Sequence, residues 1–183
     1  MDYDEDFENI HVSVEERLSN IENALVHLFG EKQLCFKKLH EEAKLPSKAH
    51  QSDACYDLSC VVDDDFEILS DGSGIYELMP GEKKVFRTGL ACKIPDGHAL
   101  YFWDRSGMAA KHGIHMLAGM IDCGYRSELL VCLINLSKEV YRVCSGDRIV
   151  QAKLTHVIDA TPTWVDELDD TERGESGFGA SGR

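Results

Sequence analysis

Five short stretches of this chain carry residue types for which a plain β-domain has little use. In Asp53-Ala-Cys-Tyr-Asp57-Leu, Asp57 stands among apolar strand residues, where a carboxylate either fixes a turn or faces a ligand. Asp104-Arg105-Ser106-Gly107, followed by Lys111-His112-Gly113, combines a guanidinium fork, a hydroxyl and a small residue. That donor set suits phosphate oxygens, although the same residues also make an ordinary surface turn. Ala118-Gly119-Met120-Ile121-Asp122-Cys123-Gly124-Tyr125 runs from apolar residues into a carboxylate, a turn and an aromatic. Asp122 can serve as a general base or cap a hairpin, and Tyr125 can stack on a ring or pack in a core. Gly146-Asp147-Arg148-Ile149-Val150-Gln151 is a tight turn feeding a strand. Finally, Arg173, Phe178, Gly179 and Ser181 lie in a Gly/Ser-rich tail, either a solvated end or a loop that closes over a ligand.

The elements that must hold these residues read as β-structure. From residue 33 onward short β-rich runs follow one another: QLCFKKL, CYDLSCVV, GIYELM, KKVFRTGLACKI, HALYFW, SELLVCLINL, EVYRVCS and RIVQAKLTHVI. Turn formers separate them, among them DGSG at 71–74 and SGD at 145–147, with no helical pattern between strands beyond a short turn after Gly107. This predicts an all-β sandwich, jelly roll or barrel. Ahead of it, Ser13-Val-Glu-Glu16 is a capping box, and Val14, Leu18, Ile21, Leu25 and Leu28 recur at helical spacing up to Gly30. The helix over about 13–29 lays its stripe on its own domain, the favoured reading, or meets a neighbouring copy. The expected division is an acidic extension (1–31), a β domain (32–165) and a flexible Gly-rich arm (166–183).

With 183 residues the chain has room for one core and appendages, and its net charge is −14, of which 1–30 contributes −7 (eight acids, one Arg). Such a balance excludes a general nucleic-acid coat, and no apolar run approaches the roughly 20 residues that span a bilayer. The first ten residues carry five carboxylates and no base, unlike a signal or transit peptide. The expected location is therefore cytoplasmic, or nuclear or host-cell interior, and not secreted. Seven cysteines with no CxxC pair read as buried reduced thiols. The acidic helix is the candidate surface for a protein partner.

Taken together and in order, DACYDL, DRSG, AGMIDCGYRSE, GDRIVQ and RGESGFGASG resemble the five motifs of the trimeric deoxyuridine triphosphatase (dUTPase) family, over about 150 of the 183 residues. The resemblance implies a distorted jelly-roll β-sandwich/barrel with shared active sites in a homotrimer. It implies Mg²⁺-assisted hydrolysis of dUTP to dUMP and pyrophosphate, which limits uracil in DNA and supplies dUMP for dTMP synthesis. By the same resemblance Asp122 would activate the water and Tyr125 would stack under the deoxyribose. The backbone from Gly119 to Tyr125 would read uracil. Arg105, Ser106, Gly107 and Gln151 would hold phosphates, and Asp57 would hold Mg²⁺ through water. Arg173 and Ser181 would meet the γ-phosphate, with Phe178 and Gly179 closing the arm over the base. Cys55, Asp104, Gly124 and Ser127 depart from the common family pattern without removing a residue of named role. Rival readings are the related dCTP deaminase and a regulatory protein that uses the nucleotide as a switch.

Overall fold

Branched and aromatic residues in runs of period two, closed off by Gly- and Asp-rich turns, form twelve strands among the described residues. A computed structural model describes residues 14–23, 25, 33–172 and 174. The strands are β1 (Cys35–Lys38), β2 (Tyr56–Ser59), β3 (Glu67–Ile68), β4 (Gly74–Leu78), β5 (Lys83–Arg87) and β6 (Leu90–Lys93). They continue as β7 (His98–Trp103), β8 (Ile114–Leu117), β9 (Met120–Ile121), β10 (Leu130–Asn135), β11 (Tyr141–Cys144) and β12 (Arg148–His156). Helix α1 covers residues 14–23, and α2 is Ser106–His112.

All pairings are antiparallel, in four small sheets of order β1-β6, β5-β10-β8, β11-β4-β3 and β2-β12-β7-β9. The architecture is a jelly-roll-type sandwich, and the sheets do not close into a barrel. The core lies between them, built on side chains such as Leu58, Leu78, Phe86, Leu100, Leu133, Val143 and Ile149. Each of the eight predicted runs contains strand. KKVFRTGLACKI breaks into β5 and β6 at Gly89, whose φ of 66° lies in the left-handed region. The runs missed β3, β8 and β9, which are too short or too mixed in composition to show a period of two. Of the seven cysteines, all free, only Cys60 and Cys92 are buried and Cys35 is exposed, so the expectation of buried thiols holds for two of them. No helix of the described residues is long and apolar enough to cross a membrane.

The stripe on α1 is not laid on the domain. Val14, Leu18, Ile21 and Leu25 are 47%, 55%, 55% and 47% exposed, so the favoured reading of that helix fails. Beyond β12 the described residues have no regular structure, and Ile158, Trp164 and Leu168 are 84%, 99% and 85% exposed.

Among the described residues two polar side chains are wholly buried, and both hold neighbouring segments by satisfying backbone groups. Thr88 Oγ1 donates to Leu129 O at 2.7 Å. Asn135 Nδ2 donates to Leu78 O (2.9 Å) and Glu139 O (2.7 Å), while its Oδ1 accepts from Ser137 N at 2.9 Å. Truncating Asn135 strands those buried groups without partners. Asn135→Ala should lower the unfolding free energy by about 2–4 kcal/mol, read from the urea midpoint.

Candidate functional site

β12 lies between β2 and β7, and two of its residues, Gln151 and Ala152, have register partners on both. Gln151 is the register partner of Asp57 on β2 and of Trp103 on β7. Directly opposed residues share a face of a sheet, so the first and fourth motifs are side by side, with the second beginning at the end of β7. Arg105 follows Trp103 by two residues and stands at the N-cap of α2 in extended conformation (φ −74°, ψ 120°), with no side-chain cap bond.

Asp57 is neither a turn residue nor a solvated carboxylate. Its side chain is 8% exposed, with Oδ1 3.3 Å from Arg105 Nε and Oδ2 2.9 Å from Arg148 Nη1. Arg105 Nη1 also donates to Arg148 O at 2.8 Å. One buried carboxylate therefore anchors two guanidiniums, and Arg105 is oriented at both Nε and Nη1. Arg148 was not a sequence candidate, although it stands inside the fourth motif. Asp147 closes the preceding turn by accepting from Cys144 N at 2.8 Å.

Around Arg105 a cavity of about 270 Å³ is lined by Ser106, Gly107, Lys111, His112, Tyr141 and Gln151. Among the described residues none bonds to the Ser106 or Gln151 side chain, which leaves those donors for a ligand. A Cβ built on Gly107 would meet nothing within 4 Å, so packing among the described residues does not demand glycine there. Burial raises the Tyr141 phenol above its ordinary range, with Asp147 adding to the shift and Arg105 opposing it, so the group stays a donor at neutral pH. Tyr141 had no assigned role from sequence. Lys111 and His112, grouped with the second motif in the sequence but given no committed role, follow it by one turn of α2 and reach the same cavity wall. Asp104 turns away from the cavity: its oxygens accept from Met116 N (2.7 Å) and meet His115 Nδ1 (2.7 Å).

The third motif hangs on the other side of β7. β9 pairs with Leu100 and Tyr101, and Phe102 N donates to Gly119 O at 2.6 Å. Gly119 is required by packing, since a Cβ would lie 2.3 Å from Met116 Cε and 3.0 Å from Phe102 O. Ala118 before it has φ 59°, the one positive φ outside glycine among the described residues, and marks this turn as strained. After Ile121 the chain turns, with Tyr125 N donating to Asp122 O at 3.0 Å. Asp122 is exposed, and among the described residues none bonds to its side chain. Tyr125 is half-buried against the core, with its hydroxyl donating to Glu128 O at 2.8 Å. Glu128 in turn pins the hairpin by accepting from Gly89 N (2.7 Å) and Arg87 Nε (3.0 Å).

The two groups do not meet within one chain. The β7–β9 register carries Asp122 toward the Ala99 end of β7, whereas Arg105 lies beyond its other end. Six residues of extended chain separate Ala99 from Arg105, or about 20 Å. Arg173, Phe178, Gly179 and Ser181 lie outside the described residues. Among the described residues no three His, Cys, Asp or Glu side chains gather as an ion site.

A family model described as dUTPase matches residues 41–182. The deoxyuridine 5'-triphosphate nucleotidohydrolase of Nautilia profundicola is 39% identical over 153 residues, covering 82% of this chain and 99% of that one. The human mitochondrial enzyme of the same name is 38% identical over 154 residues, 84% of this chain and 56% of its own. Among solved structures, a mutant dUTPase of Staphylococcus bacteriophage 80alpha with dUpNHpp superposes with a TM-score of 0.70 at 27% identity, covering 82% of this chain and 99% of that one. At 22% identity, the dUTPase of phage phi11, described as coordinating a structural Mg(II) ion, shares the fold (TM-score 0.64).

The Asp57 anchor has a measurable consequence. Asp57→Asn leaves two guanidiniums without their countercharge and should cost about 1–3 kcal/mol of stability by urea titration. Arg148→Ala, which leaves Arg105 to pair with Asp57, should cost less.

Proposed function

Because the chain belongs to the dUTPase family, we propose that it hydrolyses dUTP to dUMP and pyrophosphate at sites built from several copies of itself. The observation that carries this reading is the register of β7, which holds the Arg105 group and the Asp122 hairpin at opposite ends of one strand. A single chain supplies two incomplete halves. A symmetric homotrimer would bring the hairpin of one copy to the phosphate cavity of another, and the arm of a third could close over both. The exposed Ile158, Trp164 and Leu168 beyond β12 favour such association, since apolar side chains that bare seek a partner surface.

In that assembled site the division of labour follows from the side chains. Arg105 arrives pre-oriented by Asp57 and Arg148 O, so little rotamer freedom is lost when its remaining donors take phosphate oxygens. Ser106, the backbone at Gly107 and Gln151 add hydrogen bonds, and Lys111 adds positive charge on the same wall. Tyr125, fixed through its hydroxyl, offers a rigid ring face to the sugar, too close for a 2′-hydroxyl. Backbone groups between Gly119 and Tyr125 pair with the uracil edge. Asp122 orients a water and takes its proton as the oxygen attacks the α-phosphorus. The bond to the bridging oxygen breaks, and pyrophosphate leaves with both electrons of that bond. Arg173 and Ser181 meet the γ-phosphate, while Phe178 and Gly179 of the arm cover the base.

The residues present fit Mg²⁺ brought in with the triphosphate. Each oxygen of Asp57 bonds one guanidinium and keeps a second lone pair, so Asp57 would hold the ion through water. When bound, the ion neutralises charge growing on the pyrophosphate.

Pyrophosphate release measured with dUTP, dCTP, dTTP and UTP in Mg²⁺ tests the reading. Release should be confined to dUTP, and Asp122→Asn should lower kcat by roughly 10²–10⁴-fold while dUTP still binds. An undiminished Asp122→Asn removes the base assignment. Ammonia released from dCTP, or tight dUTP binding without turnover, removes the triphosphatase itself.

A further inference from the structure

The helix that precedes the β domain lies outside the family match, which begins at residue 41, and the function above makes no use of it. Its apolar seam nevertheless has the composition and flanking charges of an assembly element. Val14, Leu18, Ile21 and Leu25 follow a 4-3-4 spacing, which sets Val14 and Ile21 at heptad d and Leu18 and Leu25 at a. All four are 47–55% exposed, so nothing within the described chain covers the seam. Glu16, Ser19, Asn20 and Asn23 fall at b, c and f, where a bundle faces water.

Two features say what covers it. Leu at a with a β-branched residue at d, the pattern of the four described positions though not of Leu28 at the next d, disfavours a two-stranded coil and shifts preference to three or more strands. In addition, the one base of the segment, Arg17, occupies g, and Glu22 occupies the e position five residues on. In parallel helices the g residue of one faces the e residue five later on its neighbour, so Arg17 meets Glu22 around the ring. An antiparallel arrangement would set Glu22 against Glu15 and Arg17 against Arg17.

We infer that α1 docks on the same helix of two further copies of this chain, the three running parallel about the symmetry axis with Arg17 of each paired to Glu22 of the next. The inference rests on the homotrimer reading. A helix this short is marginal alone, and three copies held by their β domains supply the local concentration that lets it bundle. The bundle would then act as a clasp on the trimer.

Sedimentation of the full chain tests this, at the urea concentration where the wild type is half dissociated. Ile21→Glu should raise the protein concentration needed for assembly by roughly tenfold or more. Arg17→Glu and Glu22→Arg should each raise it by roughly two- to tenfold, and the double swap should return it to within about twofold of wild type. The unfolding midpoint of the β domain should not move in any of them, nor should dUTP turnover at concentrations where each is assembled. A trimer whose dissociation is unchanged in every variant, or a double swap that fails to recover, overturns the clasp and leaves the homotrimer standing. A wild type that stays monomeric at all concentrations without urea overturns both.

Discussion

Strand β12 has two neighbours, and the pairing of its Gln151 with both Asp57 and Trp103 is the constraint from which the site follows. Side chains alternate faces along a strand, so a slip of one residue on either side would turn Gln151 or Asp57 away from the other. The register is held by the buried residues on the opposite face, Val150 and Ala152 with Leu58 and Phe102, which have no other place to go. The irregular pairing between Arg148 and Val150 lets Arg148 reach back to Asp57 without disturbing that register. Core packing and ligand chemistry are thus fixed by the same backbone hydrogen bonds.

The carboxylate at the centre of this arrangement is unusual in its economy. Two guanidiniums close together repel, and a cavity that is to take phosphate, as proposed, needs at least one of them held still. Asp57 does both: it offsets their charge and orients Arg105 at the mouth of the cavity. The hairpin that carries Asp122 is held by a comparable device, Glu128 bridging Arg87 and Gly89, with Tyr125 tied to the Glu128 carbonyl. Both halves are therefore rigid before any ligand arrives, as electrostatic stabilisation of a charged transition state requires.

That rigidity makes the separation of the halves consequential. A strand cannot bend through the distance between the Ala99 end of β7 and Arg105, so in the proposed trimer completion of the site falls to neighbouring copies. Exposed apolar side chains on the stretch after β12 and on the seam of α1 stand where such copies would meet them, and others such as Leu45, Trp103 and Leu136 are bared on the β domain itself. The net charge of −14 works against association at long range, so the proposed trimer would depend on short-range apolar and paired-charge contacts.

Much of this was legible in the residues alone. Period-two runs between turn formers gave the all-β class and most of the strands, because alternation is local and needs no knowledge of partners. The order of five motifs named the family, and Arg105, Ser106, Gly107 and Gln151 do line one cavity. Strands as short as β3 and β9 left no periodic signal, and nothing local foretold that Asp57 would be buried between Arg105 and Arg148. Lys111, His112 and Tyr141 reach the cavity wall only because α2 packs on β8 and brings the His112 ring to Tyr141 of β11. The exposure of the α1 seam was likewise invisible, since an amphipathic stripe states that a helix has a partner and not which one. The sequence by itself determined the class of fold, the family and the chemical inventory, all properties of residue type and spacing. Only the tertiary structure decided which groups meet, which stay apart on β7, and what remains uncovered, because register and burial are set by contacts between residues far apart in the chain.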